Sequence, residues 1–233
     1  MQAWEDPRVV NGMKQQLRWR RELLAQGKKA LGWKLAFGGP AAMERLKINA
    51  PLVGFLMADA VVSSGSKISL AGWTKPAAEP EVTVYIGKDL GPDADRQTVQ
   101  AAIAGLGAAI EVADVDHPSE DVEGTLARDI YQRHLILGEC DAAYAGGVLS
   151  GLRARVERNG AVMADTSDLE ALTGELITIV GHVAELLSFF GEKLRAGEII
   201  IAGSITPPIW VQAGERLGFE LQPQAPILVN FAG

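Results

Sequence analysis

The sequence predicts an α+β fold built on a twisted, partly closed antiparallel or mixed sheet. Three observations predict it. Alternating apolar residues in Glu79-Pro-Glu-Val-Thr-Val-Tyr-Ile-Gly87 have the two-residue period of a strand. Helical patterns lead into apolar, strand-like runs in the first half, and short strands with Gly and Pro turns dominate the second. No internal repeat or low-complexity linker interrupts the 233 residues, so the chain reads as one main body, 51–233, carrying an N-terminal helical segment, 1–50.

The elements follow in order. Asp6-Pro7 has the form of a helix cap with proline in the first turn, and Val9, Val10, Met13, Leu17, Leu23 and Leu24 recur at helical spacing before a stop at Gly27. The basic residues Arg18, Arg20, Arg21, Lys28 and Lys29 read as a solvated face. Gly32 to Gly39 reads as a short strand ending in a turn, and Pro40 to Leu46 as a short helix. Gly54 to Val62 is apolar except for Asp59, an acid that looks buried. Asp95 to Leu106 is expected to be helical, with Glu111 on the strand that follows. Asn159-Gly160 predicts a type I′ hairpin within 153–166. Asp168 to Phe190 is expected to be one long apolar helix, either deeply buried or part of an interface.

Composition excludes several function classes. There are 22 basic against 29 acidic residues, a net charge of −7, which argues against a general nucleic-acid or anionic-membrane binder. One cysteine, Cys140, permits neither an intrachain disulfide nor a thiolate metal cluster. His117, His134 and His182 lack the i, i+4 spacing of a helical zinc site. No signal peptide and no stretch of about 20 apolar residues is visible. A cytoplasmic location is expected.

The chemistry concentrates in acids. Glu79 and Glu81 lie two residues apart on a strand, so they share a face, while Val82, Val84 and Ile86 share the other. Glu111 sits in the apolar run Ala108 to Ala113. Like charges this close repel unless they are protonated or bridged, and three carboxylates on neighbouring strands suit a hard cation such as Mg²⁺. A solvated face with ion pairs is the alternative, and Pro80 favours an edge strand. Asp59 reads equally as a partner for Lys34 or as a turn acid. Ser204 and Thr206 follow a glycine, as a carboxylate-binding turn or an ordinary one.

Gly-Trp-Lys34, Leu-Met-Ala-Asp59, Glu79-x-Glu81, Ile-Glu111-Val-Ala-Asp114, Leu-Arg-Ala-Gly197 and Gly203-Ser204-Ile-Thr206 occur in an order that resembles the fumarylacetoacetate hydrolase superfamily. The narrower resemblance is to its 2-keto-4-pentenoate hydratase and 4-oxalocrotonate decarboxylase branch. It implies a mixed β-sheet roll or sandwich with flanking helices, and Mg²⁺ or Mn²⁺ held by Glu79, Glu81 and Glu111. It also implies a small 2-oxo acid substrate, Lys34 and Asp59 as catalytic residues, and Ser204 and Thr206 on the substrate. Homo-oligomers, and association with a pathway-partner enzyme, belong to the same implication. The segment Thr125 to Gln132 resembles a hydrolase-branch stretch and makes Asp129 a rival third ligand.

The chain departs from the branch in two places. Arg128-Asp129-Ile130-Tyr131 stands where the branch has an Asp-Asn-Ala-Ser-like segment, and Ala36-Phe37 stands where a threonine is common. No histidine precedes His117, which disfavours the hydrolase branch's His-Glu dyad. The expected function is a metal-dependent hydratase or decarboxylase. The alternatives are a C–C hydrolase of an acylpyruvate, or a non-catalytic subunit partner.

Overall fold

The strand expected to carry two glutamates, β4 (Pro76–Ile86), forms, and it lies at the centre of the fold rather than at an edge. The computed structural model describes residues 3–233. Before β4 come α1 (Pro7–Ala25), β1 (Ala30–Ala36), α2 (Pro40–Leu46), β2 (Leu52–Met57) and β3 (Lys67–Ser69). After it come α3 (Arg96–Ala102), β5 (Ile103–Asp114), α4 (Val122–Ala127), β6 (Gln132–Leu137), β7 (Arg153–Arg158) and β8 (Ala161–Thr166). The chain ends with α5 (Leu176–Phe189), β9 (Ile199–Ser204), β10 (Ile209–Trp210), β11 (Arg216–Gln222) and β12 (Ile227–Ala232).

The larger sheet has the order β2-β1-β9-β4-β5-β6, with β10 also paired to β4. Only β1 and β9 run parallel within it, so the sheet is mixed. It curls until Val61, just beyond β2, bridges Leu135 of β6, and Val62 N–H donates to Leu135 O at 2.9 Å. The curl gives the sheet an inside and an outside. Even-numbered Val82, Val84 and Ile86 of β4 point out into the main core. The inside is plugged by a small separate core of Leu56, Ala109, Leu135, Ile199 and Ile201. Each of its leucines and isoleucines contributes about 1.5–3 kcal/mol when fully buried.

The second sheet, β3-β12-β11-β7-β8, lies against the outside of β5 through β11 and β12. Its β7–β8 hairpin turns at Asn159 (φ 53°) and Gly160 (φ 82°), both left-handed as a type I′ turn requires. On another side α1 packs on α4 and β2, and α5 on α3 and β9. Asp6 caps α1 by accepting from Arg8 N–H at 2.9 Å. No described helix is long and apolar enough to cross a membrane.

Several expectations are corrected. Pro80 sits in a central strand because its missing N–H faces the gap where β4's neighbour changes from β9 to β10. There its carbonyl accepts from Ile205 N–H at 2.9 Å. The helix expected over 95–106 stops at Ala102, and Ile103 to Leu106 join β5 opposite Val84 to Ile86. The long helix begins only at Leu176. Gly174 has φ 91°, which breaks any helix, and Glu170 accepts from Leu176 N–H at 2.7 Å to start a new one. Residues 1–50 supply α1 and α2 but also β1, inserted between β2 and β9. Arg20, expected on a solvated face, is buried over the Trp33 ring at 4.6 Å, with Glu198 at 3.4 Å. It locks α1 to β1 and to the start of β9.

Candidate metal centre

β4 and β5 pair so that Glu79 lies directly opposite Glu111, and Glu81 follows two residues on, on the same inward face. One carboxylate oxygen from each of Glu79, Glu81 and Glu111 lies within 4.8 Å of the others. Glu81 and Glu111 are 1% exposed and Glu79 is half-buried. Glu81 Oε2 accepts from Gly203 N–H at 2.6 Å; Gly203 has φ 94°, a conformation glycine adopts without strain. Lys34 of β1, also 1% exposed, reaches across the barrel to Glu111 Oε1 and donates to Ile130 O at 3.0 Å. Glu111 Oε2 is buried and has no hydrogen-bond partner among the described residues.

The electrostatics follow from this packing. Burial opposes the charge of Lys34, but Glu111, helped by Glu79 and Glu81, outweighs it and raises the ammonium's pKa. Burial, then the charge of Glu111, pushes the Glu79 carboxyl up to about 7 against the opposing pull of Lys34. The same causes, with Glu79 added, hold Glu81 well above the carboxylate range. Fully ionised, three carboxylates and one ammonium leave two negative charges in a dry pocket. A divalent cation matches that excess, and Glu111 Oε2 offers it an unused lone pair. The residues present therefore fit a hard divalent metal, with Glu79, Glu81 and Glu111 as the oxygen donors.

The sequence left Asp59 open as a partner for Lys34 or a turn acid; the structure makes it a turn acid, and Asp129 is the aspartate that lies near Lys34. Asp59 lies in a single turn after β2, half exposed and ion-paired with Lys28, and lines no part of the site cavity. Strand β2 ends at Met57, so the chain has already left the inner face. Asp129 is 3% exposed and accepts from Phe55 N–H at 2.8 Å. Burial, opposed by Lys34, holds its pKa well above the usual range. Gly54 makes room for both: a Cβ there would stand 2.9 Å from Asp129 Oδ1 and from Lys34 Cγ. Asp129 is not in the group of three carboxylates whose oxygens lie within 4.8 Å of one another.

Asp129, Ile130 and Tyr131 have φ of 57°, 49° and 66°, three left-handed residues in a row. Phe37 has φ 58°. Such backbone costs of order 1–3 kcal/mol per residue and gathers at functional sites. The turn aims Ile130 O at Lys34, and Phe37, Ile130 and Tyr131 all line the cavity. The sequence singled out this segment as a departure from the branch, but with no glycine in it nothing marked its left-handed backbone. The cavity holds about 580 Å³ and runs outward from Lys34, Glu79 and Glu81. Ser204 and Thr206 line it, with their hydroxyls donating to Pro80 O at 3.4 Å and Pro207 O at 3.0 Å.

A family model for the fumarylacetoacetate (FAA) hydrolase C-terminal region matches residues 31–230. The chain belongs to this family. Within the fumarylacetoacetate hydrolase family it is 26% identical over 212 residues to a 2-hydroxyhexa-2,4-dienoate hydratase from Comamonas testosteroni, covering 89% of this chain and 80% of that one. It superposes on a 4-oxalocrotonate decarboxylase from Pseudomonas putida G7, solved with magnesium and adipate. That match has TM-score 0.86 and 26% identity, covering 96% of this chain and 86% of the other. A fumarylpyruvate hydrolase from Pseudomonas aeruginosa, solved with Mn²⁺ and pyruvate, shares the fold at TM-score 0.66 and 17% identity, covering 88% and 89%. The mixed, curled sheet expected from the sequence is thus the family's fold.

Proposed function

We propose that this chain is a divalent-metal-dependent lyase, a hydratase or decarboxylase, acting on a small 2-oxo acid. The observation that carries the reading is the Glu79, Glu81 and Glu111 cluster, with Lys34 at its edge, at the base of a cavity of about 580 Å³. The hydratase and decarboxylase relatives point the same way. When bound, Mg²⁺ or Mn²⁺ supplies Lewis acidity at the substrate's 2-oxo group. Lys34, kept charged by Glu111, stabilises negative charge that develops beside it and can hand a proton to it. Ser204 and Thr206 can turn their hydroxyls from backbone carbonyls to the substrate carboxylate. Pro207, Pro208 and Trp210 give the mouth an apolar rim.

No histidine lines the cavity among the described residues, which favours a lyase over a His-dependent C–C hydrolase. The complete carboxylate set supports catalysis over a purely structural role. We also propose a cytoplasmic homo-oligomer working beside a pathway-partner enzyme; light scattering tests the assembly. The site is tested by thermal shift with Mg²⁺ or Mn²⁺, with and without oxalate as the chelating mimic. Metal should raise Tm, and oxalate should raise it further only when metal is present. Glu81→Gln should abolish both shifts while keeping the fold. No shift with either metal, or full shifts in Glu81→Gln, would overturn the reading.

A further inference from the structure

The inward face of β4 carries Glu79 and Glu81 at the base of the cavity and continues away from the cavity to Thr83 and Tyr85. The register puts Thr83 one step behind Glu81, opposite Gly107 of β5 and Ile201 of β9. Ile201, and Ala109 across from Glu81, belong to the apolar plug. Thr83 is 0% exposed, and its hydroxyl has no hydrogen-bond partner. Among the described residues no other buried hydroxyl is left without one.

Packing alone does not account for a threonine here. Valine has almost the same shape, suits a strand as well, and brings no polar atom into a dry interior, where an unpaired hydroxyl is destabilising. The group beside it whose hydrogen-bonding needs change with its charge is Glu81. Glu81 Oε2 accepts from Gly203 N–H at 2.6 Å, and burial favours the neutral carboxyl. As a metal donor the same carboxylate must be ionised, and it then has lone pairs to spare for donors behind it. Gly203 supplies one such donor, and the free hydroxyl two residues along the strand can supply another.

We propose that Thr83 is a positioning residue for the metal centre: its hydroxyl donates to the ionised Glu81 carboxylate, directly or through one buried water, and holds it from behind as a metal donor. The assignment rests on the metal-centre reading of Glu79, Glu81 and Glu111. The interval is short, since successive inward residues of a strand stand about 6.6 Å apart. The same spacing lets Glu79 and Glu81 bring oxygens within 4.8 Å of each other. A glutamate stem and a threonine hydroxyl close such a gap with at most one water between them. Thr83 lines no part of the cavity, so it acts only through Glu81.

The test is calorimetric titration of the metal-free protein with Mg²⁺, with Tm measured alongside. Thr83→Val keeps the shape and removes the hydroxyl; Thr83→Ser keeps the hydroxyl and removes a methyl. Thr83→Val should weaken Mg²⁺ binding about tenfold, the usual scale for an outer partner of a metal ligand. Its metal-free Tm should equal or exceed that of the wild type, because the change removes an unpaired buried hydroxyl. Thr83→Ser should bind Mg²⁺ close to the wild-type level, even though the lost methyl lowers its Tm. A merely structural threonine would move affinity and metal-free Tm together. Wild-type affinity in Thr83→Val, an equal loss of affinity in Thr83→Ser, or a metal-free Tm lowered by Thr83→Val would each overturn the assignment. Failure of the wild type to bind Mg²⁺ would instead overturn the metal centre, and this role with it.

Discussion

Two lysine–carboxylate pairs meet at the β1–β2 strand pair, one reaching to β5 and one closing its open end, and they have little in common beyond their chemistry. Lys34 of β1 meets Glu111 inside the curled sheet, with side chains 2% and 1% exposed. Lys28, just before β1, meets Asp59, just after β2, with side chains 42% and 54% exposed. The first pair is surrounded by Glu79, Glu81 and Asp129 on one side and by the apolar plug of Leu56, Ile199 and Ile201 on the other. The second is surrounded by water. Coulomb energy at a given separation is several-fold larger in the first setting, and so is the cost of leaving one partner alone. The difference separates a pair that can run chemistry from one that decorates a turn.

Removing Lys34 should break the comparison most visibly. Lys34→Met leaves the buried Glu111 carboxylate with no countercharge, beside Glu79 and Glu81, whose raised pKa values favour their neutral forms. Urea unfolding in EDTA at pH 7 should show a loss of about 3–5 kcal/mol. At pH 5 the loss should be clearly smaller, because the carboxyls can then take up protons. A loss below about 1 kcal/mol at pH 7 would mean that the site is far wetter than its packing indicates.

The wild-type protein carries a milder version of the same stress. In the native state Glu79 holds its proton up to about pH 7, whereas an unfolded glutamate releases it near 4.5. Between those values the native state binds more protons than the unfolded chain, so metal-free stability should fall as pH rises. The fall should be about 2 kcal/mol once the partial exposure of Glu79 is allowed for. Mg²⁺ should flatten this slope, and its affinity should rise with pH through the same window as protons leave. A metal-free protein whose stability is flat from pH 5 to 7 would remove Glu79 from the coupled cluster.

Asp129 gives a sharper, smaller contrast. Burial pushes its pKa up, and its Oδ1 serves Phe55 N–H. Asp129→Asn keeps that acceptor and removes the charge that burial disfavours, so stability should change by less than about 0.5 kcal/mol. Asp129→Ala strands the buried N–H and should cost about 1.5 kcal/mol. Equal losses in the two variants would show that the charge of Asp129, not its acceptor, matters.

What was legible in the sequence was what depends on a two-residue period. Glu79 and Glu81 share a face because strands alternate, and apolar neighbours placed Glu111 inside; both hold in the structure. The same parity includes Lys75, but a lysine beside Thr74 and Pro76 carries no local sign of a cavity. Asp59 and Asp129 were exchanged for a different reason. The first follows an apolar run and looks buried, yet the strand ends two residues earlier. The second is buried by three left-handed residues, none of them glycine, which only tertiary packing can hold. The onset of α5 failed likewise: Leu169 and Leu172 keep helical spacing, but Gly174 and the Glu170 cap decide where the helix starts.

The exposed pair supplies the control with the smallest effect. Asp59→Asn removes one charge from an ion pair that water already solvates, and Lys28 loses nothing it cannot recover from solvent. Stability should shift by no more than about 0.5 kcal/mol, and the shift should vanish in 1 M salt, where charges are screened within about 3 Å. Mg²⁺-dependent oxalate binding should be unchanged, because Asp59 lines no part of the cavity. If Asp59→Asn weakened oxalate binding while leaving stability intact, the loop after β2 would have to fold inward over Lys34 when ligand binds. The two pairs would then be linked states of one site rather than the inside and outside of one strand pair.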